Sequence, residues 1–311
     1  MKHFLAYLCA MIVALCYGSV PTVDKFLLVS INPLVLSAMV YTSAGIIFLF
    51  IHSSPLNNHI LSFLHKGRKV DEDMTWRNYL TIFLSSIFAS IIAPILYLNG
   101  LNLTTAVNAA FLSNTEDLFI ILMGVFLLKE IIKLKDVVGF ICLLLGALFL
   151  SVGNSNDINF NQYLIGNIIV FGSYFFWSLD VILAKFLSNK KNIFLISGLR
   201  CAIGGVILII ICFNLGLNFN LSLNSIPPLF FIRVLMMISI IFIYIGIREI
   251  GATKMGAILS TSPLLGVLVA IIALNESLNL IQILCGGLMF IGLLILYMDK
   301  KNNNEKDIVD A

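Results

Sequence analysis

Glu116 and Asp117 stand side by side in residues 104–130, TTAVNAAFLSNTEDLFIILMGVFLLKE, a stretch otherwise long and apolar enough to cross a bilayer. An ionised carboxylate facing lipid at the bilayer centre costs roughly 3 kcal/mol on insertion scales. Two in succession are tolerated when they turn toward a protein-lined or water-filled interior. Adjacent residues of a helix point about 100° apart, so the pair is not one bidentate site. One carboxylate can face the interior while the other faces a neighbouring helix. The chemistry open to them is cation binding or proton carriage. The alternative is structural pairing with an Arg, Asn or Ser of another helix. Asn114, one turn before Asp117, is the Asn best placed to share the interior, with interhelical hydrogen bonding as its alternative role.

Asp180 lies within FFWSLDVILAK, about two turns from the end of its apolar segment. It either lines the same interior or pairs with Lys185 or Arg200. Arg200 stands where an arginine can snorkel toward a headgroup region. Pro21, Pro94 and Pro263 interrupt apolar segments, each removing a backbone hydrogen bond and permitting a kink, as a gate hinge or as a static bend.

These residues need elements to hold them, and composition sets the class. Of 311 residues 60% are hydrophobic and 11% charged, with a mean hydropathy of +1.04. A soluble domain carries about 25% charged residues, so the shortfall points to an all-α polytopic membrane protein. The net charge of +3 is spread over short loops, which argues against a nucleic-acid surface. Cys9, Cys16, Cys142, Cys201, Cys212 and Cys285 all fall in apolar segments without CxxC or metal-ligand spacing. His3, His52, His59 and His65 all lie in or beside loops of the first half, so no metal or other cofactor is expected. GxxxxGK[ST], HExxH and GxSxG are absent.

About twenty largely apolar residues make one span. That rule gives ten transmembrane helices, at 4–23, 33–52, 78–99, 104–128, 134–152, 163–187, 193–213, 227–249, 252–274 and 280–298. With a cytoplasmic N-terminus, all Lys and Arg except Lys25, Arg200 and Arg233 fall inside or at the inner rim. Both termini are therefore expected in the cytoplasm and the chain in the cell membrane. The polar tail from Asp299 on is expected without regular structure.

An internal repeat underlies the spans. A shift of 160 pairs Tyr17 with Trp177, Lys25 with Lys185, Ser37 with Ser197 and Gly45 with Gly205. A shift of 146 then pairs Ala106 with Ala252, Thr115 with Thr261, Leu128 with Leu274 and Glu130 with Glu276. Each copy holds five helices, an odd number, so the second enters the membrane inverted. The expected organisation is two inverted five-helix repeats, 1–153 and 154–299, with a cytoplasmic tail at 300–311. Inverted halves that trade conformations expose one midplane site to each side in turn.

Tyr17-Gly18-Ser19, echoed by Trp177-Ser178, and AILSTSPLLGVLVAIIALNE over 257–276 carry a resemblance. In this order and repetition the chain resembles the drug/metabolite transporter superfamily, EamA-type, over about residues 4–298. Asp117 stands where that family often has Pro, and Lys129 and Asn275 where it often has Gly. The resemblance implies a central cavity lined by helices 1, 3, 4, 6, 8 and 9, in a family whose members handle amino acids, nucleotide conjugates, drugs and other metabolites. On those helices Tyr17, Tyr97, Tyr174, Trp177 and Tyr244 could stack on a planar or cationic ligand. Arg233 could serve as counter-ion to Asp117 or as a clamp for an anionic group.

The expected function is secondary transport of a small organic metabolite or drug-like solute by alternating access, driven by a proton gradient or by the solute's own. The expected partners are that solute, the lipid bilayer and a second copy in a homodimer, and no nucleic acid. No enzymatic activity is expected. The competing readings are an intramembrane aspartyl-type enzyme with Asp117 and Asp180 as a dyad, and a non-transporting receptor or scaffold.

Overall fold

The computed structural model describes residues 2–57, 74–128, 134–152, 160–187, 192–219, 225–250 and 252–309, and every regular element among them is a helix. In chain order these are α1 (Lys2–Leu28), α2 (Pro33–Ser53), α3 (Trp76–Ser85), a π-helical segment (Ser86–Ile92), α4 (Ala93–Leu103), α5 (Ala106–Leu112) and α6 (Asn114–Leu128). There follow α7 (Leu134–Val152), α8 (Phe160–Phe186), α9 (Ile193–Asn214), α10 (Ile226–Ile250), α11 (Ala252–Leu259), α12 (Ser262–Leu274) and α13 (Leu280–Val309).

Six stretches among the described residues are long and apolar enough to cross a membrane: Leu5–Leu28, Pro33–Ser53, Trp76–Leu103, Ala106–Met123, Asn161–Leu183 and Ile193–Asn214. Val137–Leu150, Ser262–Leu274 and Leu280–Leu296 are shorter apolar helices. On α1 the two faces divide as an embedded helix requires. Leu5, Leu8, Met11 and Leu15 are exposed at helical spacing, whereas Ala6, Cys9, Ala10 and Val13 are buried.

Six of the ten expected spans thus have a membrane-crossing counterpart among the described residues, and two of the ten are each divided into two helices. Span 104–128 is two helices meeting at Ser113, and span 252–274 is two helices meeting at Ser260 and Thr261. At both breaks a threonine hydroxyl returns to the carbonyl three residues back. Thr115 Oγ1 donates to Leu112 O at 2.6 Å, and Thr261 Oγ1 to Ile258 O at 2.7 Å. Such back-bonding bends helices, and the two bonds are related by the shift of 146. The tail also differs, since α13 continues to Val309. A helix already nucleated by its apolar part adds residues without a new nucleation cost.

The repeat extends to caps and packing. Asn32 Oδ1 accepts from Leu34 N at the start of α2, and Asn192 Oδ1 from Phe194 N at the start of α9. These Asx caps satisfy helix N–H groups that have no carbonyl partner and lie 160 residues apart. α2 packs on α9, α7 on α13, α4 on α8, and α1 on both α10 and α12. At the α2–α9 crossing a Cβ on Gly45 would lie 2.6 Å from Ala202 N, and one on Gly205 2.6 Å from Thr42 N. Residues 45 and 205, and 42 and 202, are again 160 apart, so the contact is reciprocal.

Candidate functional site

The break at Ser113 relocates the acids. They stand in the first turn of α6, not in the middle of a continuous helix. There Glu116 N donates to Ser113 O at 3.1 Å, and the partial positive charge of a helix start favours neighbouring carboxylates. The same turn holds Asn114, which is buried. At the matching break, Pro263 occupies the second position of α12, where its missing N–H costs no helical bond. Residue 263 is the repeat counterpart of 117, so one half places an acid where the other places a proline.

These two breaks flank a cavity of about 600 Å³, within the usual range for small-molecule sites. Its walls include Asn114, Glu116 and Asp117 from α6, Tyr17 and Pro21 from α1, and Pro94 and Tyr97 from α4. Tyr174 and Trp177 of α8 and Pro263 of α12 also line it, whereas Asp180, expected from sequence in the same wall, is not among the lining residues. Tyr17 lies within electrostatic reach of both Glu116 and Arg200. Gly18 follows Tyr17 where α1 meets α12; a Cβ there would lie 2.7 Å from Gly266 N.

Three aromatic rings form one wall. Tyr97 and Trp177 have centroids 5.2 Å apart, Tyr174 and Trp177 5.4 Å, and Tyr97 and Tyr174 6.2 Å in an edge arrangement. Their positions follow from the π-helical segment. There the N–H of Ala93 reaches back five residues to Phe88 O. Pro94, next in line, has no N–H for Ala89 O. The indole of Trp177 supplies that donor, with Nε1 to Ala89 O at 3.2 Å. Pro21 behaves differently, since α1 runs through it without interruption.

Asp180 is engaged by neighbours. Ser85 Oγ donates to its Oδ1, and Arg200 Nη1 pairs with its Oδ2. Arg200 is one of the partners considered from sequence; the side chain of the other, Lys185, lies outside the described residues. Arg200 does not snorkel outward; it stands in the cavity wall. Among the described residues its Nε is buried without a hydrogen-bond partner, and Ser86 Oγ donates to its backbone carbonyl at 2.9 Å. One face of the cavity is therefore acidic while another presents a guanidinium.

Sequence reasoning missed Asp24 and Tyr41, both in the wall. Asp24 is buried near the end of α1, one residue past the predicted end of that span. An acid one turn beyond Pro21 in an apolar helix was the available signal. The side chains of Arg233 and Tyr244 lie outside the described residues, as do Lys129 and Glu130. Among the described residues no three His, Cys, Asp or Glu side chains gather as metal ligands.

The EamA-like transporter family matches the chain twice, over residues 4–152 and 164–298. An uncharacterized transporter of Methanothermobacter thermautotrophicus is 38% identical over 303 residues, covering 97% of this chain and 88% of that protein. An uncharacterized transporter of Haemophilus influenzae is 23% identical, covering 82% of this chain and 91% of its own. A protein of known crystal structure aligns with a TM-score of 0.60 at 15% identity, over 94% of this chain and 97% of that one, a likeness of fold. With both matches together spanning nearly its whole length, and with apolar helices enclosing a cavity that carries Glu116, Asp117 and Arg200 in its wall, the chain belongs to the EamA-like transporter family.

Proposed function

We propose that the protein is a secondary transporter that carries a small organic solute bearing a cationic group through the central cavity by alternating access. Ten spans in two inverted five-helix halves, with both termini cytoplasmic, form the frame. The observation that carries the reading is the cavity's position between two broken helices, one from each repeat. The acids Glu116 and Asp117 open the second half of one of them. Half-helix ends at a cavity are where transporters hold charged groups. The aromatic wall of Tyr97, Tyr174 and Trp177 suits the apolar or planar part of such a solute. The guanidinium of Arg200 offers a partner to an anionic group on the same molecule.

The aspartyl-enzyme reading loses its second carboxylate, because both oxygens of Asp180 are engaged by Ser85 and Arg200. The family and its named relatives point to transport as well.

The test is a thermal-shift panel of organic amines, amino acids and simple carboxylates on purified protein. Uptake of each hit into proteoliposomes follows, with and without a pH gradient. Glu116→Gln and Asp117→Asn are each expected to lower transport by roughly tenfold, the value of one charge-assisted contact, at unchanged monodispersity and unfolding midpoint. Wild-type rates in both single variants and in the double variant would remove the carboxylates from the pathway. A gain from an inward proton gradient that disappears in one variant would assign that residue the coupling proton.

A further inference from the structure

Among the described residues, the conspicuous charged residues of the repeat that the cavity does not use are Lys25 and Glu276. Lys25 directly follows the cavity residue Asp24, and Glu276 bonds to the chain one turn before the cavity residue Ala110. The last cavity residues on that side are Asp24, Leu98 and Ala110. Lys25 Nζ donates to three carbonyls where α4 ends: Leu101 O at 2.7 Å, Asn102 O at 3.2 Å and Thr104 O at 2.5 Å. The two carboxylate oxygens of Glu276 accept from the first N–H groups of α5, Ala106 N and Val107 N, each at 2.9 Å. Glu276 reaches them because Asn275 ends α12 in the left-handed region, at φ 54°. Glu276 is also an electrostatic neighbour of Lys25.

An ammonium on carbonyls that have no helical donor and a carboxylate on N–H groups that have no helical acceptor are each strong, charge-assisted contacts. They meet on the short link between α4 and α5. Glu276 comes from the second repeat, while that link and Lys25 belong to the first. The Glu276 contacts therefore join the halves, on a link one turn from the cavity residue Ala110. The sequence repeat carries the same residue types at Lys185, Glu130 and Ala252.

We propose that Lys25 and Glu276 form a latch on the 101–107 link that holds this end of the cavity shut, and that the latch must release for the cavity to open there. The proposal rests on the alternating-access reading above. The latch energy biases which end is open at rest. Weakening it shifts the population toward the opposite conformation.

Hydrogen exchange on the full-length protein in nanodiscs tests this, comparing wild type with Glu276→Gln, Lys25→Met and the conservative Lys25→Arg. In the first two variants, amides of 101–112 are expected to exchange faster by roughly tenfold or more, the loss of a charge-assisted hydrogen bond. Amides of 252–259, near the other end, are expected to slow in the same samples. Lys25→Arg is expected to keep the wild-type pattern. Faster exchange confined to 101–112, or no change in either segment, would overturn the latch and leave a static helix cap. A cooperative unfolding transition in every variant is the condition for comparing them, and a variant lacking one is replaced by Glu276→Asp, which keeps the charge and shortens the reach. Uptake of the panel's best-binding amine by the wild type is measured separately. No uptake alongside reciprocal exchange would remove the solute reading and keep the latch. Uptake alongside purely local exchange would remove the latch and keep transport.

Discussion

Pro94 has no N–H to give, and the deficit is made good from another helix. The Ala89 carbonyl receives its donor from Trp177, which fixes the indole against Tyr97 and Tyr174. Trp177→Phe keeps the ring and removes the donor. It is expected to cost about 1–2 kcal/mol, the penalty for a carbonyl left without its partner, read as a lower unfolding midpoint in detergent. Asp180 and Arg200 make a sharper case. Asp180→Asn leaves the guanidinium in the wall without its counter-charge. The expected loss is about 2 kcal/mol, less than for a fully buried pair because Arg200 keeps 28% of its side-chain exposure. The double variant Asp180→Leu/Arg200→Leu is expected to recover most of that stability, since an apolar pair of similar bulk carries no desolvation cost. If transport uses the guanidinium, the stable double variant remains inactive.

The helices set what can be exchanged. α1 approaches α12 so closely at Gly18 that any side chain there meets Ser262 O and Gly266 N of the facing backbone. Gly18→Ala is expected to cost about 1–3 kcal/mol through overpacking, and Gly18→Leu to prevent isolation of folded protein. Both are read by size-exclusion chromatography and thermal unfolding. Much of the helical frame was legible from apolar run lengths, and Asn32 and Asn192 start their helices where an Asx cap precedes an apolar run. The break in FLSNTED went unread, although Ser113-x-x-Glu116 ahead of an apolar run is a helix-start pattern. No Gly or Pro marks it, and a Thr–carbonyl bond competes with helix only in a particular packing. The acids were found because any carboxylate in an apolar run is costly, but their place in a first turn followed from the break. The Asp180–Arg200 pairing was open in sequence because Ser85 and Ser86, which hold both residues, sit where α-helix gives way to π-helix.

Over the whole molecule, the proposed topology puts the α1–α2 link and the α9–α10 link on the same outer face. Ser30 and Ser225, which share a hydrogen bond between hydroxyls at 3.0 Å, already bring those links together. Single cysteines at Val29 and Leu215, both exposed, are expected to react with a membrane-impermeant maleimide added to intact cells. Protection of either until lysis would refute that topology.

The reciprocal crossing of Gly45 on Ala202 and Gly205 on Thr42 has a consequence in the language of oligomers. A contact in which each partner offers the other the same patch is isologous, the kind that joins two identical subunits about a two-fold axis. Here it is internal to one polypeptide and joins the two repeats, whose boundary falls between Val152 and Phe160. Two separately translated fragments divided there should find each other as a heterodimer, and co-purification of an untagged fragment with its tagged twin would display it.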